Sequence, residues 1–483
     1  MPSTSLGATL RRFEQHTRPT PPELAAALEQ RWRDLPEHVK TPTQMLGRRT
    51  SGCEGTHGVF PRCNLACTPC YHAKEANRVR TDGAHTVQEV DRQMAYLNQQ
   101  RGPGQNAQLI GGEVSLLPPD DHAAALQAMR RHGRKPMSMS HGDFDYDYLE
   151  AMAVGPDGNA RFDFLSFAGH FDSMMFGRRG IKRVEREPQL NPHRKAFCDM
   201  FHRLQREYGI DNYLAHNMTV TPRNLDQVPQ LIRDCRDYGF RMFSFQPAAF
   251  IGNTNRWKDS YRAFTDDEVW AKIEEGIGAR LPFRVLQIGD ERCNRTAYGG
   301  MVGERWVPLL DDRDPADHAA RDAFVKTFGG MDFAAPRPVT ALRTVRALAA
   351  NPAVLGTGVR WAGRFVRRAG ARNLLRHGFR ALTFVQHNFM DAELVKPAWK
   401  GLREGTMSDD PQVRATQERL QACSYAMAHP DSDELVPACA QHSVLDPEEN
   451  LRLTELLPVG GDDDADAPLA TAAPLGRSAL PLA

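Results

Sequence analysis

The stretch Cys63-Asn-Leu-Ala-Cys67-Thr-Pro-Cys70 gathers three thiols within eight residues. Thiolates are soft ligands that hold iron–sulfur clusters, and this C-x3-C-x2-C spacing supplies three of the four protein ligands of a closed cubane. A cluster held by three cysteines leaves one iron open to a small molecule, whereas a fully ligated cluster mainly moves electrons. The competing reading is a zinc knuckle. Structural zinc takes four ligands, usually in paired spacings, and no second C-x2-C or H-x3-H lies near this loop.

Six more cysteines bring the total to nine. Cys198 and Cys235 fall on apolar helical faces and read as core residues. Cys53, Cys293, Cys423 and Cys439 remain, the number that ligates a second, closed 4Fe-4S cluster. Buried or zinc-bound thiols are the alternative for these four. The odd count, a start (Met1-Pro-Ser-Thr-Ser-Leu) without a secretory pattern, and no apolar run of spanning length give a cytoplasmic expectation. Lys+Arg 61 against Asp+Glu 60 gives no sign of a nucleic-acid partner.

The elements that must position these groups read as β/α units. Short apolar runs at 58–62, 107–111, 135–140, 161–167, 213–220 and 240–245 alternate with stretches of helical periodicity. Thr86-x-x-Glu89, Asn224-x-x-Gln227 and Thr265-x-x-Glu268 read as helix starts, and Gly133, Gly209 and Gly239 as stops. The expected fold class is α/β, a partial (β/α)6 TIM-type barrel with a helical, cysteine-containing C-terminal extension; an open doubly wound sheet is the rival. The expected organisation is a polar N-terminal extension (1–50), a core (51–292), a cap (293–457) and a disordered tail (458–483).

Polar residues cluster at the ends of these runs, the face where parallel barrels keep their active sites. Cys63 follows the first run, Gly111-Gly112-Glu113 ends the second, and His141 follows the third. Ser166 and His170 flank the end of the fourth, Asn217, Thr219 and Thr221 lie near the end of the fifth, and Gln246 closes the sixth. His141/Asp143 and His170/Asp172 form two His-x-Asp pairs suited to positioning substrate or relaying a proton. Packed, hydrogen-bonded histidines are the plainer reading.

The cysteine loop resembles the signature of the radical S-adenosylmethionine (radical SAM) superfamily. That resemblance implies a 4Fe-4S cluster on Cys63, Cys67 and Cys70 whose free iron binds S-adenosyl-L-methionine. Reduction, by a flavodoxin- or ferredoxin-type donor, then yields a 5′-deoxyadenosyl radical that takes hydrogen from substrate. The residue before the third cysteine, usually aromatic in the family, is Pro69 here, and Tyr71 follows as a cofactor-contact candidate. Gly111, Gly112 and Glu113 resemble the glycine-rich element that meets the methionyl amino group. Ser166, Asn217, Thr219, Thr221 and Gln246 become candidates for the ribose, carboxylate or adenine.

The C-terminal part is similar to a narrower branch. His387-Asn-Phe-Met-Asp391, Cys423-Ser-Tyr-Ala and Leu435-Val-Pro-Ala-Cys439 resemble the end of the archaeal tetraether lipid synthases, and Ser244-Phe-Gln-Pro-Ala-Ala249 fits the same group. The chain lacks the cysteine pairs of a rubredoxin-like module. The branch implies radical chemistry on a long apolar chain, with carbon–carbon bond formation; a peptide or cofactor maturase and a non-catalytic iron–sulfur or zinc redox protein are the alternatives. Residues 333–390 contain ten arginines between 337 and 380. Trp361, Phe365, Leu375, Phe379 and Leu382 are expected on one helical face there, with Gly370 dividing two helices. Such a segment can rest on an anionic membrane, or form a cap whose arginines are solvated or paired with acids elsewhere.

Overall fold

The computed structural model describes residues 14, 17–70, 74–251, 263–331, 333 and 337–459. Tyr71 and almost all of the expected tail lie outside the described residues.

Ten strands form the main sheet: β1 Cys53–Gly55, β2 Asn106–Leu109, β3 Lys135–Ser140, β4 Phe164–His170, β5 Asp211–Val220, β6 Met242–Pro247, β7 Asn294–Ala297, β8 Thr383–His387, β9 Tyr425–His429 and β10 Glu434–Pro437. Their spatial order is β10-β9-β1-β2-β3-β4-β5-β6-β8-β7. Strands β9 through β8 in that order are parallel, and β10 and β7 pair antiparallel at the two edges. The sheet curls into a half-barrel of TIM type. Strands β8 and β9 come from beyond residue 292 and widen it on both sides.

The expected strand 58–62 does not form. The first strand is Cys53–Gly55, and Phe60–Arg62 runs instead beside the glycines that follow β2. The fourth strand reaches His170, three residues past its expected end. The helix expected to open at Thr86 starts at Gly83, because Asp82 accepts from His85 N at 2.9 Å as the N-cap. Thr265 and Glu268 do form a reciprocal capping box.

Register partners in a sheet share a face. Gly169, His216, Phe243 and Phe384 lie on the side covered by helices, where Phe167, Phe197, Phe201 and Phe240 join them in an aromatic core. Burial of each such ring contributes about 1.5–3 kcal/mol. His170, Asn217, Ser244 and Val385 occupy the opposite face. Hydrophobic burial thus commits one face of the sheet to stability and leaves polar side chains on the other.

Gly370 separates helices Ala353–Ala369 and Ala371–His377, as its position in the arginine-rich segment implies. Trp361, Phe365 and Phe379 form a chain of ring contacts, but Leu375 is 90% exposed, and Phe379 and Leu382 lie past the second helix. The arginines divide. Arg364 and Arg368 both pair with buried Asp317, and Arg380 pairs with Asp237. Arg360, Arg367, Arg372 and Arg376 are exposed beside Leu355, Val359 and Leu375. No described helix is long and apolar enough to cross a membrane.

Candidate functional site

The cysteine loop is fastened at the carboxyl edge of the sheet by backbone and side-chain bonds. Gly112 N donates to Phe60 O (2.6 Å) and Glu113 N to Arg62 O (2.8 Å). A Cβ on Gly112 would lie 2.0 Å from Arg62 O, and one on Gly111 would lie 2.7 Å from the Phe60 ring. The glycines are therefore required by the chain's own lead-in to Cys63, a need not foreseen from their pattern alone. Cys63 N donates to Asn77 Oδ1 (3.0 Å), and Ala66–Cys67 pairs antiparallel with Met175–Phe176. Thr68 N donates to Met174 O (3.2 Å). Cys63, Cys67 and Cys70 are all half-buried, on a loop tied down before, within and between its sulfurs.

Glu113 is buried beneath this loop. Its Oε1 accepts from Ser115 N, Ser115 Oγ and Ser140 Oγ, and its Oε2 accepts from His141 N at 2.8 Å. With its oxygens so engaged, Glu113 knits the ends of β2 and β3. His141 carries the linkage onward. Asp143 N donates to its Nδ1 (3.0 Å), which fixes the proton on Nε2, and Nε2–H donates to Asn64 Oδ1 (2.7 Å) inside the cysteine loop. Burial pulls the His141 pKa below its usual value, which keeps the ring in this neutral, oriented form.

Arg178 is the group sequence reasoning missed. It lies in Gly177-Arg-Arg-Gly180, a stretch that carries no chemical motif. The structure buries it (3% exposed), stacks it on Phe171, and lets Nη2 donate to His141 O (2.8 Å) and His170 O (3.3 Å). Its Nε and Nη1 are buried without a hydrogen-bond acceptor. Burial lowers its pKa, and the charges of Asp143 and the Cys67 sulfur oppose that shift. A guanidinium remains charged in proteins, so Nε and Nη1 of this buried cation lie unpaired near the cysteine loop.

His170 Nε2 lies 2.7 Å from Asp172 Oδ2 and 3.4 Å from Thr219 Oγ1 at the ends of β4 and β5. Asp172 also accepts from Met174 N (2.9 Å) and Thr219 N (3.3 Å). Burial works to raise its pKa, but the His170 bond and charge and these N–H donors outweigh it and hold the carboxyl below the usual range. Asn217 pairs in register with His170, and Thr219 with Gln246, so these four line one face. Gln246 Nε2 donates to Ser244 Oγ (2.9 Å). Ser166 lies on the same face, but four residues before the end of β4, about 13 Å lower along the strand. Thr221 is fully buried, its N donating to Asn224 Oδ1 (2.9 Å) and its Oγ1 to Met174 Sδ (3.2 Å).

Of the four remaining cysteines, Cys293, Cys423 and Cys439 lie in one neighbourhood near Arg419, whose Nε donates to Cys293 Sγ (3.1 Å). Burial, followed by lesser opposing effects of Arg419, pushes the Cys293 thiol up to about 11. Cys423 and Cys439 bracket the β9–β10 hairpin. Cys53 begins β1 and donates its N–H to Ser424 O (2.6 Å), next to Cys423. Its thiol lies 4.0 Å from Gln108 Nε2 and from Glu54 O, and burial and the Glu54 charge push it up to about 12. Cys198 and Cys235 are core residues.

No protein-family model and no curated protein matches the chain. Among solved structures it is similar to "Native anSMEcpe with bound AdoMet", at 12% identity and TM-score 0.30, over 46% of this chain and 57% of that one. A second match is the same protein with AdoMet and Cp18Cys peptide, at 11% identity and TM-score 0.30, over 47% and 58%. The chain thus spans just over half the length of these neighbours. Matches of this strength leave the chemistry to the residues themselves.

Proposed function

We propose that the chain is a radical SAM enzyme, with Cys63, Cys67 and Cys70 holding a 4Fe-4S cluster and S-adenosyl-L-methionine bound beside it. The observation that carries this reading is the pairing of a three-thiol loop with buried Arg178, whose Nε and Nη1 have no acceptor. Three soft ligands suit an iron–sulfur cluster with an open iron, and a guanidinium suits the ligand's carboxylate. When bound, the cluster and S-adenosyl-L-methionine together supply, on reduction, a 5′-deoxyadenosyl radical able to take hydrogen from an unactivated carbon.

The chain's own residues hold and orient. His141 and Asn64 fix the loop, Glu113 fixes His141, and Arg178 offers its free donors to a carboxylate. His170, Asn217, Thr219 and Gln246 give the open sheet face hydrogen-bonding groups for ribose or adenine. His170, its Nε2 held by Asp172, is oriented to position substrate or ligand at the end of β4. Cys293, Cys423 and Cys439, with Cys53 on the adjoining strand, are proposed to hold a second cluster; burial raises the thiols of Cys53, Cys293 and Cys439, so metal binding there must displace protons.

The substrate proposed is a lipid with a long saturated chain. Exposed Leu355, Val359 and Leu375, interleaved with Arg360, Arg367, Arg372 and Arg376, form a surface suited to anionic head groups and peripheral membrane contact. The test is anaerobic reconstitution, then reduction with S-adenosyl-L-methionine and either a lipid extract or a peptide mixture. Lipid-dependent 5′-deoxyadenosine is expected, with each of Cys63→Ala, Cys67→Ala and Cys70→Ala inactive. Product formed only with peptide overturns the lipid assignment, and no cleavage under any condition overturns the enzyme reading.

A further inference from the structure

A second constellation lies outside the chemistry above. His57 stands two residues beyond β1, and His429 ends β9. These strands are parallel neighbours with Gly55 opposite Met427, so the register carries His57 opposite His429. Their rings stack with centroids 4.0 Å apart and planes 21° from parallel. Glu449, in the first turn of the helix Asp446–Leu456, faces both rings: His57 Nδ1 is 2.9 Å from Glu449 Oε2, and His429 Nδ1 is 3.7 Å from Glu449 Oε1. All three side chains are at most 15% exposed.

The proton positions are fixed by the surroundings. His57 Nε2 is 2.6 Å from Ala428 O, a carbonyl that can only accept, so Nε2 carries hydrogen. Gln441 Nε2 donates to Asp446 Oδ1 (2.9 Å) and Glu449 Oε2 (3.0 Å), which leaves Gln441 Oε1 as an acceptor. His429 Nε2 is 2.5 Å from that oxygen and must donate to it. Each imidazole therefore spends its Nε2–H on a carbonyl and turns Nδ1 toward the same carboxylate. At 2.9 Å, His57 Nδ1 and Glu449 Oε2 share a proton in the metal-free chain, and a metal cation between the two Nδ1 atoms and the carboxylate would take that proton's place. Metal-bound histidines almost always donate their other ring N–H to a carbonyl or carboxylate in this way. The π-helical turn Gln441–Leu445 that places Gln441 here is a distortion often kept at functional sites.

We propose that His57 Nδ1, His429 Nδ1 and Glu449 bind a single divalent transition-metal ion of the zinc class. Their ligand atoms all lie within 4.8 Å of one another, and this is the only such group found among the described residues. Two imidazoles and a carboxylate are a common zinc donor set that leaves a fourth position for water. The ion would tie three distant segments together: the chain leading to Cys63, the C-terminal hairpin and the C-terminal helix. In the metal-free chain one proton takes its place. Burial acts to lower the His57 pKa, but the Glu449 bond and charge raise it overall, while burial and the His57 charge lower that of His429.

The test uses the full chain with its iron–sulfur sites reconstituted anaerobically, exposed to one equivalent of zinc chloride near neutral pH and studied by metal analysis and zinc-edge X-ray absorption. The expected result is one zinc per chain with nitrogen and oxygen neighbours at about 2.0–2.1 Å. Glu449→Gln and His429→Phe should each weaken zinc binding by roughly a hundredfold while iron content is kept. A sulfur shell at about 2.3 Å, no zinc retained at concentrations on the order of 10 µM, or variants that bind like wild type would overturn the proposal. If either variant fails to fold, the wild-type absorption spectrum decides. None of these readouts depends on S-adenosyl-L-methionine cleavage.

Discussion

At Gly112 a single missing methyl group decides where the cysteine loop can lie. A Cβ there would overlap Arg62 O at 2.0 Å, and neither partner is a flexible side-chain end. Gly112→Ala is therefore expected to cost about 1–3 kcal/mol through overpacking and to displace the lead-in to Cys63. Iron bound per chain after reconstitution should drop sharply, with far-ultraviolet circular dichroism unchanged; full iron loading would refute this role. Arg178 is the converse case, a side chain whose unused donors matter. A hydrogen bond to a charged group contributes about 1.5–3 kcal/mol, so Arg178→Gln should weaken S-adenosyl-L-methionine binding by roughly 10- to 100-fold. Equilibrium binding to the reconstituted protein measures it, and unchanged affinity would place the ligand carboxylate elsewhere.

Packing of the helix Pro119–Arg131 on the sheet buries His122 between Tyr148 OH (3.0 Å) and Ser138 Oγ (2.8 Å). Burial drives its pKa from 6.5 to about 3. Between those values the unfolded chain takes up a proton that the folded chain refuses, so stability falls as pH drops from about 6.5 toward 3, by roughly 1 kcal/mol per pH unit. His122→Gln removes one such proton. Denaturant titrations between pH 6.5 and pH 4 should then show a shallower loss of stability than wild type, and an equal slope would mean that His122 is protonated in the fold. Elements were legible where periodicity and caps agreed: β3 falls where its apolar run does, and the Thr265 box opens its helix. They were misread where a competing cap or contact won, as with Asp82 over Thr86 and the Phe60–Arg62 lead-in over a strand.

Across the whole molecule, the part beyond residue 292 is built into the main sheet through β8 and β9 and clasped by buried charge. Asp317 is fully buried, accepts from Asp311 N (2.9 Å), and holds both Arg364 and Arg368. Removing one member of a buried ion pair leaves uncompensated charge, so Asp317→Ala should cost roughly 3 kcal/mol. Hydrogen exchange should quicken first in helix Ala353–Ala369, while the parallel strands keep their protection. Uniform loss of protection would show that the clasp is no separate unit.

The amino-acid order alone placed Cys63, Cys67 and Cys70 on one short loop, because those residues are close along the chain. It also determined the α/β class and most strands, because hydrophobic period is a local property. Tertiary structure decided what depends on distant partners: that Glu113 supports rather than reaches out, that Arg178 is buried with donors to spare, and that His57, His429 and Glu449 meet. Burial and register act between residues hundreds of positions apart, and no local pattern carries that information.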